Sequence, residues 1–413
     1  MCPAPRRPTE RRIDAPDDPR PRRRNARRLL LAAVVLLFVV AVLIVLAIRT
    51  PGLAPSAPPP TMRPSVTPAV ARSVSIDFGM VTDRETDWRE VDRRLDQVGA
   101  TTVGLNAGRV EFTAFDWSAH PDVAAEPGTD HLAVAARALH ETTDGRLREV
   151  NLIVDAFVPE WIKADASVAG VSATGRRAPH AASASQLAEG PVGQRLIDYV
   201  AALGERYNPN RIELTELFLS TYSFGDDDRA LFLRMTGADD WPRTAKGAID
   251  TESPAIGAWR SQVVAGFLTR VRQALDGVRG GEGRDIGLAL DVRVDWDDPP
   301  AGRPLSGHDY RTLLGSGVAL QAWVYLGLSD KRPEDIRQFT AALAAAGFDM
   351  SRVTLSVGLW RAKTTDDARQ QITPDEFAAA VTAAESHGVT HVNVTPFTLF
   401  TDAHWTALAG AWA

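Results

Sequence analysis

The amino-acid sequence predicts an α/β fold: a (β/α)8 TIM barrel preceded by one transmembrane helix and a Pro-rich linker. Two observations predict the barrel. Short apolar runs rich in β-branched residues alternate with longer stretches of helical spacing, which favours a parallel sheet with right-handed crossovers. In addition, about 340 of the 413 residues remain for folding beyond the N-terminal part, and this length suits one barrel.

The predicted strands and helices follow one another in strict alternation. The strands are expected at 74–79, 102–106, 150–158, 212–217, 286–292, 319–325, 353–359 and 391–396. The helices are expected at 88–98, 131–140, 193–207, 257–278, 309–314, 333–346 and 374–387. Eight parallel strands close into a barrel. A doubly wound open sheet is the alternative, but no Gly-rich dinucleotide turn follows the first strand.

Four segments are expected along the chain: a cytoplasmic Arg/Pro-rich tail (1–28), a transmembrane helix (29–48), a Pro-rich linker (49–71) and the barrel (72–413). Residues 29–48 carry no charge, and twenty helical residues cover about 30 Å of bilayer hydrocarbon. The Arg-rich tail should stay in the cytoplasm, so the barrel lies outside. A cleaved signal peptide is the alternative, with a weak cleavage site at 55–57.

Charge and cysteine content limit the partners. The formal net charge is −6, but residues 72–413 hold 34 basic and 48 acidic residues, about −14. Such a domain repels nucleic acid and anionic lipid, so neither is an expected partner, and contact with the membrane is expected through the N-terminal helix only. The residues at the strand ends, described below, and not the charge, favour a polysaccharide or oligosaccharide as partner. Cys2 is the only cysteine, so no disulfide can stabilise the outer domain. The expected localisation is the cell membrane, single-pass, with the N-terminus cytoplasmic.

Polar and aromatic side chains gather at the carboxyl ends of the predicted strands, where barrel enzymes place their chemistry. Tryptophan and tyrosine faces can stack on sugar rings. Trp117 and Trp161 also lie close to strand ends, like the three tryptophans listed below. Each of these tryptophans could instead pack in the core between strand and helix. The candidate substrate-binding residues are Asp77, Asn106, Arg109, Arg293, Trp296, Trp323, Tyr325, Trp360 and Asn393.

A glycosidic bond needs a carboxylic acid to protonate the leaving oxygen, and most families add a second carboxylate. Glu216, at the end of the fourth strand, is the favoured acid, with Glu213 as the alternative. Strand alternation puts these two glutamates on opposite faces unless a bulge intervenes. Glu216 could also simply pair with Arg293 or Arg109. The candidates for the second carboxylate are Asp291 on the fifth strand and Asp155 on the third.

Other barrel chemistries find less support in the sequence. The eight histidines include no H-x-H pair, so no metal ligand set is expected. No Gly-rich phosphate cup follows the last strands and no lysine ends a strand, so we expect no cofactor.

Several segments together resemble bacterial glycoside hydrolase-like TIM-barrel proteins, the family-10-like glycosidases. The similar segments are LTELFLSTYSFGDDD (214–228), F-x-x-x-T-G (232–237), Trp259-Arg260, GHDY (307–310), W-V-Y (323–325), VGLW (357–360) and GVTHVNVTPF (388–397). The resemblance implies that Glu216 stands where the family usually has an aspartate at the end of the fourth strand. It also implies that Tyr325 matches the family's tyrosine after the sixth strand. Asp155 stands where relatives often have a histidine.

The expected function is a membrane-anchored extracytoplasmic glycoside hydrolase that acts on a cell-wall or extracellular polysaccharide. A catalytically inactive barrel that binds carbohydrate or a cell-envelope partner is the alternative, because function belongs to sites and not to folds. A membrane scaffold that docks a protein would instead carry a broad apolar patch at the barrel rim.

Overall fold

The computed structural model describes residues 70–142, 144–362 and 371–413. The expected tail and membrane span, and the linker up to residue 69, lie outside the described residues. Within these three ranges, none of the helices combines the length and the apolar character that a membrane crossing requires.

Eight parallel strands form a closed barrel. They are β1 (Ala71–Ile76), β2 (Thr102–Arg109), β3 (Glu149–Asp155), β4 (Arg211–Thr215), β5 (Gly287–Arg293), β6 (Ala319–Trp323), β7 (Val353–Gly358) and β8 (His391–Thr395). Each strand pairs in parallel with the next one in the chain, and β8 pairs in parallel with β1, where Ala71 lies beside His391. The closure confirms the predicted barrel and excludes the open sheet.

Helices follow the strands and cover the outside of the barrel. They are α1 (Phe78–Thr82), α2 (Trp88–Gln97), α3 (His131–Leu139), α4 (Pro159–Ala164), α5 (Ala184–Ala188), α6 (Pro191–Tyr207), α7 (Asp226–Thr236), α8 (Pro254–Gly277), α9 (Tyr310–Gly315), α10 (Leu326–Ser329), α11 (Pro333–Ala345), α12 (Pro374–Ala384) and α13 (Asp402–Ala411). Local sequence sets their starts: Asp87 caps α2, Asp130 caps α3, and a capping box of Thr373 and Glu376 begins α12.

Strand alternation separates an apolar outer layer from a polar barrel interior. In β4, Ile212 and Leu214 are fully buried in the hydrophobic core, while Glu213 between them takes part in hydrogen bonds inside the barrel. The same alternation in β5 gives Leu290 to the core and Asp291 to the interior. Barrel interiors are usually filled by branched apolar residues. The polar residues inside this barrel therefore indicate a functional site there.

A β-hairpin that the sequence did not predict is inserted between β3 and α5. Its antiparallel strands are Ala169–Val171 and Arg177–Ala182. The backbone N–H of Val158, just after β3, donates to the carbonyl of His180 at 2.8 Å. The hairpin therefore adjoins the carboxyl end of β3, where Asp155 lies.

Candidate active site

The carboxyl ends of the strands surround a cavity of about 790 Å³. Eleven of the thirteen candidate residues line it: Asp77, Asn106, Asp155, Glu216, Asp291, Arg293, Trp296, Trp323, Tyr325, Trp360 and Asn393. The other two, Glu213 and Arg109, lie behind this lining and contact residues that form it. Most of the candidates predicted from the strand ends thus lie together at one mouth of the barrel.

Glu216 reaches the cavity through an unusual backbone conformation. Its φ of 57° is in the left-handed region, directly after β4 ends at Thr215. For a residue with a Cβ this region costs roughly 1–2 kcal/mol. The turn interrupts strand alternation, so Glu216 and Glu213 both belong to the inner side: Glu213 is buried in the interior and Glu216 lines the mouth. Such strain is characteristic of functional positions.

The surroundings of Glu216 favour its protonated form. Burial raises the pKa of Glu216 to about 7, and the negative charge of Asp155 adds to this, while Arg293 and Arg109 act in the opposite direction. At slightly acidic pH the carboxyl group therefore holds its proton. A carboxyl group in this state can act as a general acid.

Asp155 stands at the end of the neighbouring strand β3 in a different setting. Its carboxylate lies 3.0 Å from the Arg109 guanidinium and accepts a hydrogen bond of 2.8 Å from the Phe157 backbone N–H. Burial raises the pKa of Asp155, but both contacts oppose this rise. The two contacts favour the charged form of Asp155, whereas burial favours its neutral form.

A second carboxyl pair lies deeper, inside the barrel. Gln321 Nε2 donates to Asp291 Oδ1 at 2.8 Å and to Glu213 Oε2 at 3.2 Å, and Asn151 Nδ2 donates to Glu213 Oε1 at 3.0 Å. Burial, and then the charge of Glu213, raise the pKa of Asp291 to about 7. Asp291 faces the mouth, whereas Glu213 lines a separate cavity at the opposite end of the barrel.

Three aromatic rings form a wall on the β6 and β7 side of the mouth. Trp323 and Tyr325 stack with ring centroids 5.5 Å apart, and Tyr325 lies 5.2 Å from Trp360. Trp117 is instead core, packed on Tyr199, and Arg195 covers the ring of Trp161. The tryptophans that line the cavity, Trp296 included, provide flat apolar faces suited to sugar rings.

The polar residues of β1, β2 and β8 complete the lining. Asn393 Oδ1 accepts a hydrogen bond from Ser75 at 2.9 Å, and its Nδ2 donates to Ser356 at 3.1 Å. Asp77 accepts a hydrogen bond of 2.8 Å from the Thr398 hydroxyl. The Asn106 side chain accepts one of 2.9 Å from the Gly108 backbone. These hydrogen bonds hold the side chains in place before any ligand binds.

Our prediction of the substrate-binding and catalytic residues left out several residues that also line the cavity. They are Ser75, Ile76, Ile153, Thr215, Val294, Arg303, Gln321, Leu328, Ser329, Ser356, Arg361 and Thr395. Strand alternation could have identified four of them, because Ser75, Thr215, Gln321 and Ser356 occupy the inward positions of their strands. Arg303 comes from the loop that follows β5, which carries no comparable signal.

A buried histidine joins the loops around Glu216. His308 Nδ1 accepts a hydrogen bond from the Arg293 backbone N–H at 3.1 Å, and its Nε2 donates to the Leu217 carbonyl at 3.0 Å. Burial lowers the pKa of His308 to about 4, so the ring is neutral at physiological pH. His308 thereby fixes the residue after Glu216 relative to β5.

We expect His308 to make the fold sensitive to acid. Its pKa is about 4 in the folded protein and about 6.5 in an unfolded chain, so between these values the unfolded chain binds the extra proton. Stability should therefore fall as pH drops from about 6.5 to 4, by on the order of 3 kcal/mol from this residue. The His308→Gln variant should be less stable at pH 7, with a smaller deficit at pH 5, when thermal midpoints are compared. Equal deficits at both pH values would contradict this.

Comparison with solved structures identifies the fold. The glycoside hydrolase domain of PgaB (BpsB) from Bordetella bronchiseptica superposes with a TM-score of 0.60 at 14% identity, covering 83% of this chain and 99% of that domain. The protein has the fold of a glycoside hydrolase barrel domain. The catalytic domain of β-amylase from Paenibacillus polymyxa gives 0.56 at 12% identity, with 84% and 98% covered. For β-galactosidase from Marinomonas ef1 the values are 0.59 and 14%, with 82% and 59% covered.

Sequence comparison adds no closer relative. No protein-family model matches the chain, and a search of curated proteins finds no match. The structural matches support a glycosidase-like barrel, and they do not distinguish a family-10-like protein from other glycoside hydrolases. At 12–14% identity they establish the fold alone.

Proposed function

We propose that this protein is a glycoside hydrolase, of the family-10-like kind, that acts on a cell-wall or extracellular polysaccharide. One observation carries the proposal: Glu216, in a strained conformation and with a pKa raised by burial to about 7, faces a cavity walled by tryptophans. Sugar rings stack on the aromatic wall, and the glycosidic oxygen lies within reach of the Glu216 proton.

In the proposed reaction, Glu216 protonates the leaving oxygen as the glycosidic bond breaks. Positive charge develops on the sugar ring in the transition state, and a second carboxylate at the cavity stabilises it as nucleophile or as base for water. Asp155 suits this role because Arg109 and the Phe157 N–H favour its charged form. Asp291 is the other candidate, but its burial and the nearby charge of Glu213 favour a neutral carboxyl group there, against the hydrogen bond that Gln321 donates.

A barrel that binds carbohydrate or a cell-envelope partner without cleaving it is the second candidate. It is favoured by the engagement of both candidate partners of Glu216: Asp155 pairs with Arg109, and Asp291 accepts a hydrogen bond from Gln321. A protein-docking scaffold has less support. Only one of the exposed large apolar residues in the described ranges, Leu328, lines the mouth.

Membrane anchoring is the part of the proposal that rests on sequence alone. The uncharged segment 29–48 and the Arg-rich residues before it support a single-pass anchor with a cytoplasmic N-terminus and an extracytoplasmic barrel. The Pro-rich residues that follow would hold the barrel away from the membrane surface.

The pH dependence of turnover tests the proposal. Reducing ends released from a panel of polysaccharides by the full-length chain in detergent micelles give the rate. Because Glu216 must be protonated, kcat/KM should fall as pH rises through about 7, approaching roughly tenfold per pH unit above it. A polysaccharide that binds but is not cleaved at any pH would favour the binding barrel. A rate that increases through pH 7 would contradict Glu216 as the acid.

A further inference from the structure

Two arginines, Arg293 and Arg303, line the same cavity as Glu216 and have no part in the bond cleavage proposed above. Arg293 ends β5, and its guanidinium lies 4.0 Å from the centre of the Phe218 ring. Its Nε is buried and has no hydrogen-bond partner among the described residues. Arg303 lies in the loop after β5, is exposed, and lines the same cavity.

The loop that contains His308 holds both arginines in place. The Arg293 backbone N–H donates to His308 Nδ1 at 3.1 Å, and the Arg303 backbone N–H donates to the His308 carbonyl at 2.8 Å. Tyr310 donates its hydroxyl to the Arg293 carbonyl at 2.9 Å. Burial lowers the pKa of Arg293; the charge of Glu216 opposes this, and the like charge of Arg303 adds to it. Both side chains line one cavity, so a ligand bound there can contact both.

Other arginines near the mouth are already neutralised. Arg109 pairs with Asp155 at 3.0 Å, and Arg361 pairs with Glu376 at 2.6 Å. Among the residues that the structure describes, no comparable ion pair involves Arg293 or Arg303. Their charge is available to a ligand.

The balance of charge at the mouth is opposite to that of the domain. Glu216 and Asp291 each have a pKa of about 7, so below neutral pH both are largely uncharged. Of the other two acids that line the cavity, Asp155 is paired with Arg109, and Asp77 accepts a hydrogen bond from Thr398. A locally positive site inside an acidic domain attracts anions to that one place.

We propose that Arg293 and Arg303 bind an anionic substituent of the glycan, a carboxylate or a phosphate ester, next to the bond that Glu216 cleaves. The planar guanidinium group forms paired hydrogen bonds with both kinds of oxyanion. This inference rests on the proposed function and narrows its substrate class to acidic polysaccharides.

Glycan-array binding of the full-length chain tests the inference. The array carries uronate-containing glycans beside their methyl esters, and phosphorylated glycans beside their unmodified forms, which separates the two anion chemistries. The wild type should bind acidic glycans roughly 10-fold to 100-fold more tightly than the matched neutral ones. Arg303→Gln should remove most of this preference, and Arg293→Lys, which keeps the charge but loses the paired geometry, should remove part of it.

The matched control is Arg284→Gln. Arg284 is exposed and precedes β5 at the opposite end of the barrel, so this variant should behave as the wild type. Equal binding of acidic and neutral glycans, binding of neither, or an Arg303→Gln variant indistinguishable from Arg284→Gln would overturn the inference.

The same arrays separate this inference from the proposed function. If acidic glycans bind in an Arg303-dependent manner but are never cleaved, the result would contradict the hydrolase proposal and support the anion site. Cleavage of acidic and matched neutral glycans at equal rates, by both the wild type and Arg303→Gln, would support the hydrolase and contradict the anion site.

Discussion

Replacing Glu216 with glutamine should lower turnover of polysaccharide by about 10²-fold to 10⁴-fold, the usual contribution of a general acid. Glutamine has nearly the same size but holds no acidic proton. The loss is expected at this position because burial raises the pKa of Glu216 to about 7, so the wild-type side chain carries the proton that glutamine lacks. The measurement is kcat on the best polysaccharide of the panel, with folding checked by circular dichroism.

Substrates with different leaving groups show whether Glu216 acts as a general acid or has only a structural role. Glycosides with a leaving group of low pKa need little protonation, so Glu216→Gln should retain much more activity on dinitrophenyl glycosides than on polysaccharide. Glu160→Gln is the control, because Glu160 is exposed on α4 and pairs with Lys163. Unchanged turnover of every glycan by the Glu216 variant would remove it from the mechanism.

Replacing Arg148 with methionine should destabilise the fold by about 3–5 kcal/mol. Arg148 is buried just before β3 and donates to Asp92 at 2.8 Å and to Asp96 at 2.6 Å. It also donates to the carbonyls of Leu139 and Ala100, so one guanidinium joins α2, α3 and the start of β2. Removing it leaves buried acceptors without a donor, which costs more than the pair itself contributes.

Arg146 is the matched control for Arg148. It is two residues away, and it pairs with Asp144 on the exposed surface. Exposed pairs contribute about 0–1 kcal/mol, so Arg146→Met should leave the urea-unfolding midpoint nearly unchanged. Similar midpoints for the two variants would contradict the structural role of Arg148.

The alternation of strands and helices was predictable because it depends on local pattern. All eight strands begin and end within three residues of their expected positions. The hairpin of Ala169–Val171 and Arg177–Ala182 was not predictable, since its second strand, RAPHAA, has none of the β-branched residues that signal a strand. The expected membrane anchor stays a prediction, since it lies outside the described residues.

The candidate site was predictable as a ring of strand ends, but its internal pairing was not. Alternation placed Glu213 and Glu216 on opposite faces, and the left-handed φ at Glu216 reverses that result. No local pattern signals such a conformation in glutamate. The bridge from Asp291 through Gln321 to Glu213 depends on the register of three strands, and register is a property of the closed barrel.

The pKa of Glu216 is the most direct test of the account. Titration of the full-length chain with ¹³C-labelled glutamate, with Glu216→Gln to assign the signal, measures the protonation of this one carboxyl group by NMR. The account predicts a midpoint of about 7. A midpoint near the ordinary glutamate value of about 4.3 would mean that Glu216 is ionised at working pH and cannot be the proton donor.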